Sequence, residues 1–222
     1  YPQPLAITGA DELKQLASAF NQMSEDLSRS EGERAEVLAG ISHDLRTPLT
    51  RLRLEAEMSI ADEAARDAIT ADIEQMDAII AQFLDYARGE GNEESEATDV
   101  NALVTQAAAA LQRTAMTAQL ELGELPLTRT HPQALRRALG NLLDNARKYG
   151  GEAVEIQTRS ENGEILIDVL DRGPGIPASE ADRLKRPFTR LETARSNASG
   201  TGLGLAIVER IARLHEGKLE LL

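Results

Sequence analysis

Between residues 11 and 88 apolar positions recur at helical spacing, with almost no Gly or Pro to interrupt them. Leu38, Ile41, Leu45, Pro48 and Leu52 follow one another at alternating steps of three and four, and Ile69, Ile73, Met76, Ile80, Phe83 and Ala87 repeat the pattern. The polar stretch from Ser59 to Ala65 divides these seams, which predicts a helical hairpin. Two helices cannot cover both stripes, so the pattern predicts hairpins from two chains joined in a four-helix bundle. Packing of the hairpin against the rest of its own chain is the alternative.

After the hairpin the pattern changes. Gly89 to Thr98 is polar, acidic and rich in turn formers, and reads as a solvated linker at a domain boundary. Helical patterns follow at about 99–116 and 131–149, then strand-like alternation at Ala153–Thr158 and Ile165–Leu170, Gly-rich loops, and a helix from about 203 to 215. This order predicts an α+β domain with helices on one face of a sheet. The start at Tyr1-Pro2-Gln3-Pro4 is abrupt, and Gly217 to Leu222 reads as a strand just begun, so a fragment of a longer chain is expected.

Composition narrows the partners. A formal charge of −13 on 222 residues would repel a phosphate backbone, which argues against direct nucleic-acid binding. With no cysteine there is neither a disulfide framework nor a Cys-based zinc site, as in a reducing compartment. No run approaches the 18 apolar residues of a membrane helix, and no secretion-signal layout is present.

Placing Leu38 and Ile41 at core positions puts His43 at the position furthest from the bundle core. Pro48 favours a bend one turn beyond it. Asp44 is adjacent and Thr47 lies one turn away on the same face. A nucleophilic histidine must present a neutral nitrogen, and a neighbouring carboxylate can orient the ring and accept the proton. Taken alone, such a pair is more often a solvated surface feature. In context, Ile41-Ser42-His43-Asp44-Leu45-Arg46-Thr47-Pro48-Leu49 resembles the H-box of class I (HisKA-type) sensor histidine kinases. The resemblance implies that His43 accepts a phosphoryl group, that Asp44 assists, and that Thr47 positions water when the partner is dephosphorylated.

Asn141 and Asn145 are four apart, so both amides project from one helical face, where they could meet phosphate oxygens and a magnesium ion. The segment Asn141 to Tyr149 resembles the N-box of the same family, which implies Asn145 as the metal ligand, Lys148 against phosphate and Tyr149 near adenine. Asp171-Arg172-Gly173-Pro174-Gly175-Ile176 resembles the first glycine box, with Asp171 accepting from the adenine amino group. Gly200-Thr201-Gly202-Leu203-Gly204-Leu205 resembles the second, ahead of a helix whose N-terminal amides can face phosphates. Residues 177–199 carry Arg183, Lys185, Arg186, Arg190 and Arg195 and read as a flexible basic lid over ATP. Phe188 matches one phenylalanine of the family's F-box, while Lys185 stands where the other is common.

Gly9 to Leu13 and Ala19 to Met23 resemble the second helix of a HAMP relay. The resemblance thus spans nearly the whole chain, and its pattern is that of EnvZ-like osmosensor kinases. It divides the chain into a HAMP and connector part (1–32), a dimerisation and phosphotransfer domain (33–90), a linker (91–98), and a GHKL (Bergerat) two-layer α/β ATP-binding domain (99–222) truncated at its last strands. It implies ATP and Mg2+ as cofactors, a homodimer, a response regulator with an OmpR-like receiver domain as partner, phosphatase activity towards it, and the cytoplasmic part of a bacterial inner-membrane protein. Membrane contact would come only through absent N-terminal segments. Two other classes share parts of this pattern. An ATPase of the wider gyrase, Hsp90 and MutL fold has no need of His43, and a scaffold with a degenerate pocket has no need of intact Asn145, Asp171 and glycine boxes.

Overall fold

A computed structural model of the chain describes residues 5, 7–8, 10–87, 93–111, 116–151, 153–191 and 200–221; of these, residues 31, 34, 35, 39, 42, 43, 85 and 87 are described by their backbone only. The chain forms two compact units, Tyr1–Gly91 and Asn92–Leu222.

The first unit is the hairpin. Helix α1 (Asp11–Ser59) runs 49 residues, about 73 Å at 1.5 Å per residue, and α2 (Glu63–Ala87) runs 25. The predicted relay helix and histidine helix are therefore one element, unbroken through Pro48. Pro48 lacks the amide hydrogen that would reach the carbonyl four residues back, and the neighbouring turns hold the helix together. The Ile60 amide reaches the Ala56 carbonyl at 3.2 Å, and Asp62 Oδ1 accepts from the Ala64 amide at 3.1 Å, so the turn occupies only Ile60 to Asp62. Arg46 pairs with Asp77 at 3.2 Å and Arg53 with Glu74 at 3.3 Å, fixing the antiparallel register, although such exposed pairs contribute only ~0–1 kcal/mol. Ala56, Ile73 and Leu84 are buried, yet Ile41, Leu45, Leu52 and Met76 remain 46–52% exposed. One hairpin leaves much of its own seam in water.

The second unit layers helices on a sheet. Strand β1 (Glu96–Thr98) precedes α3 (Val100–Leu111), β2 (Thr117–Leu122), β3 (Thr128–Thr130) and α4 (Pro132–Tyr149). Next come β4 (Ala153–Glu161), β5 (Glu164–Leu170), α5 (Ala178–Leu184) and α6 (Gly204–Leu214). One sheet has the order β2-β4-β5, parallel then antiparallel, and β1 pairs β3 antiparallel in a second. Val154, Ile156 and Thr158 alternate along β4 and are buried, so one face of the strand meets the helices. Val100, Leu103, Val104, Leu139 and Leu143 complete that core. Thr158 is satisfied where it is buried: its hydroxyl donates to Asn101 Oδ1 at 2.7 Å, and Asn101 donates to the Gly123 carbonyl at 2.8 Å.

Three sequence expectations change. The stretch read as linker ends in β1, because its backbone pairs with β3; residues 88–92 lie outside the described residues. Residues 217–221 form no strand: Leu219 is buried, but no neighbouring strand supplies a ladder to this segment among the described residues. Residues 178–184 of the basic segment are helical, not a flexible loop, and local acids pair with two of its basic side chains. Arg183 pairs with Glu180 and donates to the Arg190 carbonyl at 3.3 Å, and Lys185 lies 3.7 Å from Asp182.

The entry to α4 is tied to α6 and to the start of the unit. Pro132 opens the helix, and His131 supplies no side-chain cap. Glu93 caps it instead, accepting from the Gln133 amide at 2.6 Å and the Ala134 amide at 2.9 Å. The His131 amide donates to His215 Nε2 at 2.9 Å, so that nitrogen carries no proton and His215 Nδ1 donates to the Ile211 carbonyl at 2.8 Å. Glu93→Ala should destabilise the unit by about 1 kcal/mol. Thermal melting that matches the wild type would show that solvent replaces the cap at no cost.

Candidate functional site

Helix α4 places Asn141, Asn145 and Lys148 along one stripe, with Tyr149 at its end and Gly150 as the C-cap. Helix α6 begins where this stripe faces it. A Cβ built at Gly204 would lie 3.3 Å from Asn141 Oδ1 and 3.6 Å from Asn145 Oδ1, so the second glycine box brings backbone, not side chain, against both amides. Asn141 donates to the Arg137 carbonyl at 2.9 Å, whereas the half-buried Asn145 amide makes no hydrogen bond among the described residues. The Leu203 amide donates to Thr201 Oγ1 at 3.2 Å, Leu203 is buried, and Ile207, Val208 and Ile211 hold α6 in place. Leu205 is half-buried within the first turn of α6.

The loop after β5 meets the end of α4 one turn further along. The Arg172 amide donates to the Gly150 carbonyl at 3.1 Å, which ties the loop after β5 to the end of α4. Asp171 Oδ1 accepts from the Gly173 amide at 2.7 Å, and Oδ2 takes no hydrogen bond among the described residues. A side chain at Gly173 would come within 2.5 Å of the Tyr149 carbonyl, and one at Gly200 within 3.3 Å of the Tyr149 hydroxyl. Gly202 has φ +70°, and a Cβ there would stand 2.7 Å from the Thr189 carbonyl. It is thus a glycine by backbone conformation and by space. The loop from Asp171 continues through Gly175 and the half-buried Ile176.

The structure therefore gathers Asp171, Gly173, Gly200 and Gly204 against Asn141, Asn145 and Tyr149 of α4, while Gly202 packs on Phe188 and Thr189. Lys148 is engaged: its Nζ lies 2.5 Å from Asp144 Oδ2, while Arg147 Nη2 lies 2.7 Å from Asp144 Oδ1. Burial raises the Asp144 pKa, but hydrogen bonds from Lys148 and Arg147 outweigh it and hold the carboxyl below its usual range. The stability it contributes is present above the unfolded carboxylate pKa and is lost as pH falls through the lower folded value. Arg190 is half-buried, with its carbonyl tied to Arg183. Arg195 lies in 192–199, outside the described residues. In the first unit Asp44 and Thr47 are exposed on α1; His43 is helical, and its side chain lies outside the described residues.

Sequence reasoning missed Asp144, the Arg46–Asp77 pair and the Glu93–His131–His215 chain. Asp144 sits four residues before Lys148, a spacing that could have flagged it. The other two depend on contacts between residues 31 or more positions apart, which no local pattern carries.

A helix layer on a mixed sheet, with paired Asn amides at a glycine-rich helix start, defines an ATPase domain of the Bergerat class in a chain that also carries a helical hairpin. Comparison with known proteins extends this. Residues 130–221 match the histidine kinase-, DNA gyrase B- and HSP90-like ATPase family, 33–92 the His Kinase A (phospho-acceptor) domain, and 1–29 the HAMP domain. The chain is 34% identical over 214 residues to the sensor histidine kinase GtrS of Pseudomonas aeruginosa, covering 96% of this chain and 44% of that protein. It is 32% identical over 237 residues to the signal transduction histidine-protein kinase/phosphatase MprB of Mycolicibacterium vanbaalenii, covering 99% and 49%. The chain thus spans about half the length of these relatives. A crystal structure of full-length ShkA in complex with AMPPNP superposes with a TM-score of 0.65 at 25% identity, over 81% of this chain and 41% of that one. The chain thus carries the HAMP, phospho-acceptor and ATPase domains of a class I sensor histidine kinase. No described helix is long and apolar enough to cross a membrane.

Proposed function

We propose that this chain binds ATP with Mg2+ in its second unit, transfers the γ-phosphoryl group to His43, and passes it to an aspartate of a response regulator. The convergence of Asn141, Asn145 and Gly204 beside Tyr149, Asp171 and Gly173 carries the reading. Kinase relatives covering nearly the whole chain support it, as does the nucleotide analogue held by ShkA. Asn145 would hold the ion through its amide oxygen. Among the described residues no three His, Cys, Asp or Glu side chains cluster as a metal cage. Such a site suits Mg2+, which keeps several waters and takes phosphate oxygens. When bound, the ion supplies charge neutralisation at the phosphates.

The roles of the chain's own residues follow. Asp171 Oδ2 accepts from the adenine amino group, Tyr149 lies by the base, and Lys148 with the amides of the Gly200–Leu205 run other than that of Leu203 meets the phosphates, with Arg190 beside them. The neutral imidazole of His43 attacks the γ-phosphorus, the bond to the β,γ-bridging oxygen breaks, and ADP leaves; Asp44 takes the imidazole proton. The partner would be an OmpR-like receiver, and the whole protein would be anchored in a bacterial inner membrane.

The same face serves the reverse traffic. MprB is a kinase/phosphatase, and Thr47 stands one turn beyond His43 to orient water at a phospho-aspartate. Thr47→Ala should still take an acid-labile, base-stable label from ATP but should dephosphorylate the regulator at least about tenfold more slowly, as for loss of one positioned proton-transfer group. Lost labelling with intact dephosphorylation would reverse these roles.

The working state is a homodimer, because the exposed Ile41, Leu45, Leu52 and Met76 need a cover that a second hairpin provides. Leu45→Asp would place an unpaired charge in that seam. Light scattering should give a dimer for the wild type at micromolar concentration and a monomer for the variant. A monomeric wild type would count against the bundle.

A further inference from the structure

We infer that Asp144 is a positioning residue for the nucleotide site: it holds Lys148 in the nucleotide-free chain and competes with phosphate for its ammonium group, which weakens nucleotide binding and speeds ADP release. The inference rests on the reading that Lys148 meets phosphate.

Three observations carry it. Lys148 Nζ and Asp144 Oδ2 form a direct ion pair, 2.5 Å apart. The Lys148 side chain is only 22% exposed and that of Asp144 35%, so this pair is screened less than an ordinary surface pair, whose ends both stand in water. Asp144 immediately precedes Asn145 and stands four residues before Lys148, which puts a carboxylate on the flank of the Asn141, Asn145 and Lys148 stripe that faces the start of α6.

An arriving phosphate meets two obstacles. The ammonium must be drawn from a carboxylate already bonded to it, and the remaining carboxylate repels the anion. Arg147 limits the second, because its Nη2 and Nε lie 2.7 Å and 3.2 Å from Asp144 Oδ1 and hold the carboxylate after Lys148 leaves. Asp144 therefore has a second partner to fall back on, and Lys148 can move without leaving a bare buried charge. The arrangement lets the lysine switch between two anions, one fixed and one a ligand.

The test is calorimetric titration of the full chain with ADP, and with adenosine as a probe that lacks phosphate. Asp144→Asn should tighten ADP by about three- to tenfold, the size of one partly screened charge contact, and leave adenosine within twofold. It should lower KM for ATP more than it changes kcat for self-labelling. Asp144→Glu keeps a carboxylate within reach at the same helical spacing and should restore ADP affinity to within about twofold of wild type. In the Lys148→Ala background Asp144→Asn should change ADP affinity by less than twofold. Circular dichroism of each variant checks the helix.

Each other result overturns something definite. If Lys148→Ala weakens ADP but Asp144→Asn leaves it unchanged or weaker, the pair is a structural contact and the inference fails while the site reading stands. If Asp144→Asn tightens ADP equally with and without Lys148, the carboxylate acts by repulsion alone and the competition for the lysine is wrong. If Lys148→Ala leaves ADP affinity unchanged, Lys148 is not at the phosphates, and the reading on which the inference rests falls with it.

Discussion

Asn145→Ala protein should bind ATP at least about tenfold more weakly than the wild type while its far-ultraviolet circular dichroism is unchanged. The fold has little to lose, because the half-buried Asn145 amide makes no hydrogen bond among the described residues. The ligand has much to lose, because a contact between an amide and a charged group contributes about 1.5–3 kcal/mol, or about ten- to a hundredfold in affinity. Asp171→Asn tests the other end of the site with a smaller change of shape. An Asn side chain can still accept from the Gly173 amide, so the loop keeps the 2.7 Å contact that orders it, while the charged acceptor offered to adenine is gone. Full ATP affinity in both variants would move the nucleotide elsewhere. Loss of helical signal in Asn145→Ala would instead make that residue part of the fold.

The hairpin was legible because its two seams repeat without interruption, and apolar periodicity over tens of residues has few competing readings. Helices α4 and α6 were legible for the same reason, within a residue or two of their ends. β4 and β5 were found short: the pattern stops at Thr158 and resumes at Ile165, whereas the ladder runs through an Asn162-Gly163 turn with φ of +52° and +85° that only a turn reading would have joined. β1 and β3 are three residues each, too short for any period to register. β2 is an edge strand, and its residues are almost all exposed, so its sequence carries no buried face to read. The site followed a similar division. Asn141, Asn145, Asp171 and the glycines sit in compact runs whose spacing on one helix or one turn is local information. The ties that hold those runs together, such as Gly173 against the Tyr149 carbonyl or Gly202 against Thr189, join distant parts of the chain. Lys148 shows the limit from the other side, since the family resemblance implied it against phosphate but could not reveal that Asp144 already holds it.

Phosphoryl transfer to an imidazole makes a phosphorus–nitrogen bond, which acid hydrolyses and base leaves intact, whereas serine and threonine esters behave in the opposite way. No other residue assigned here can replace that nitrogen. The remaining histidines, His131 and His215, are held in hydrogen bonds in the second unit, where the His215 ring accepts from the His131 amide. Substitution of His43 should thus remove the acceptor while leaving the nucleotide site in place. The decisive measurement is incubation of wild-type and His43→Gln protein with γ-labelled ATP and Mg2+, with ADP affinity measured on both. The wild type should carry an acid-labile, base-stable label, His43→Gln should carry none, and both should bind ADP equally. A label of the same kind and extent on His43→Gln would contradict it.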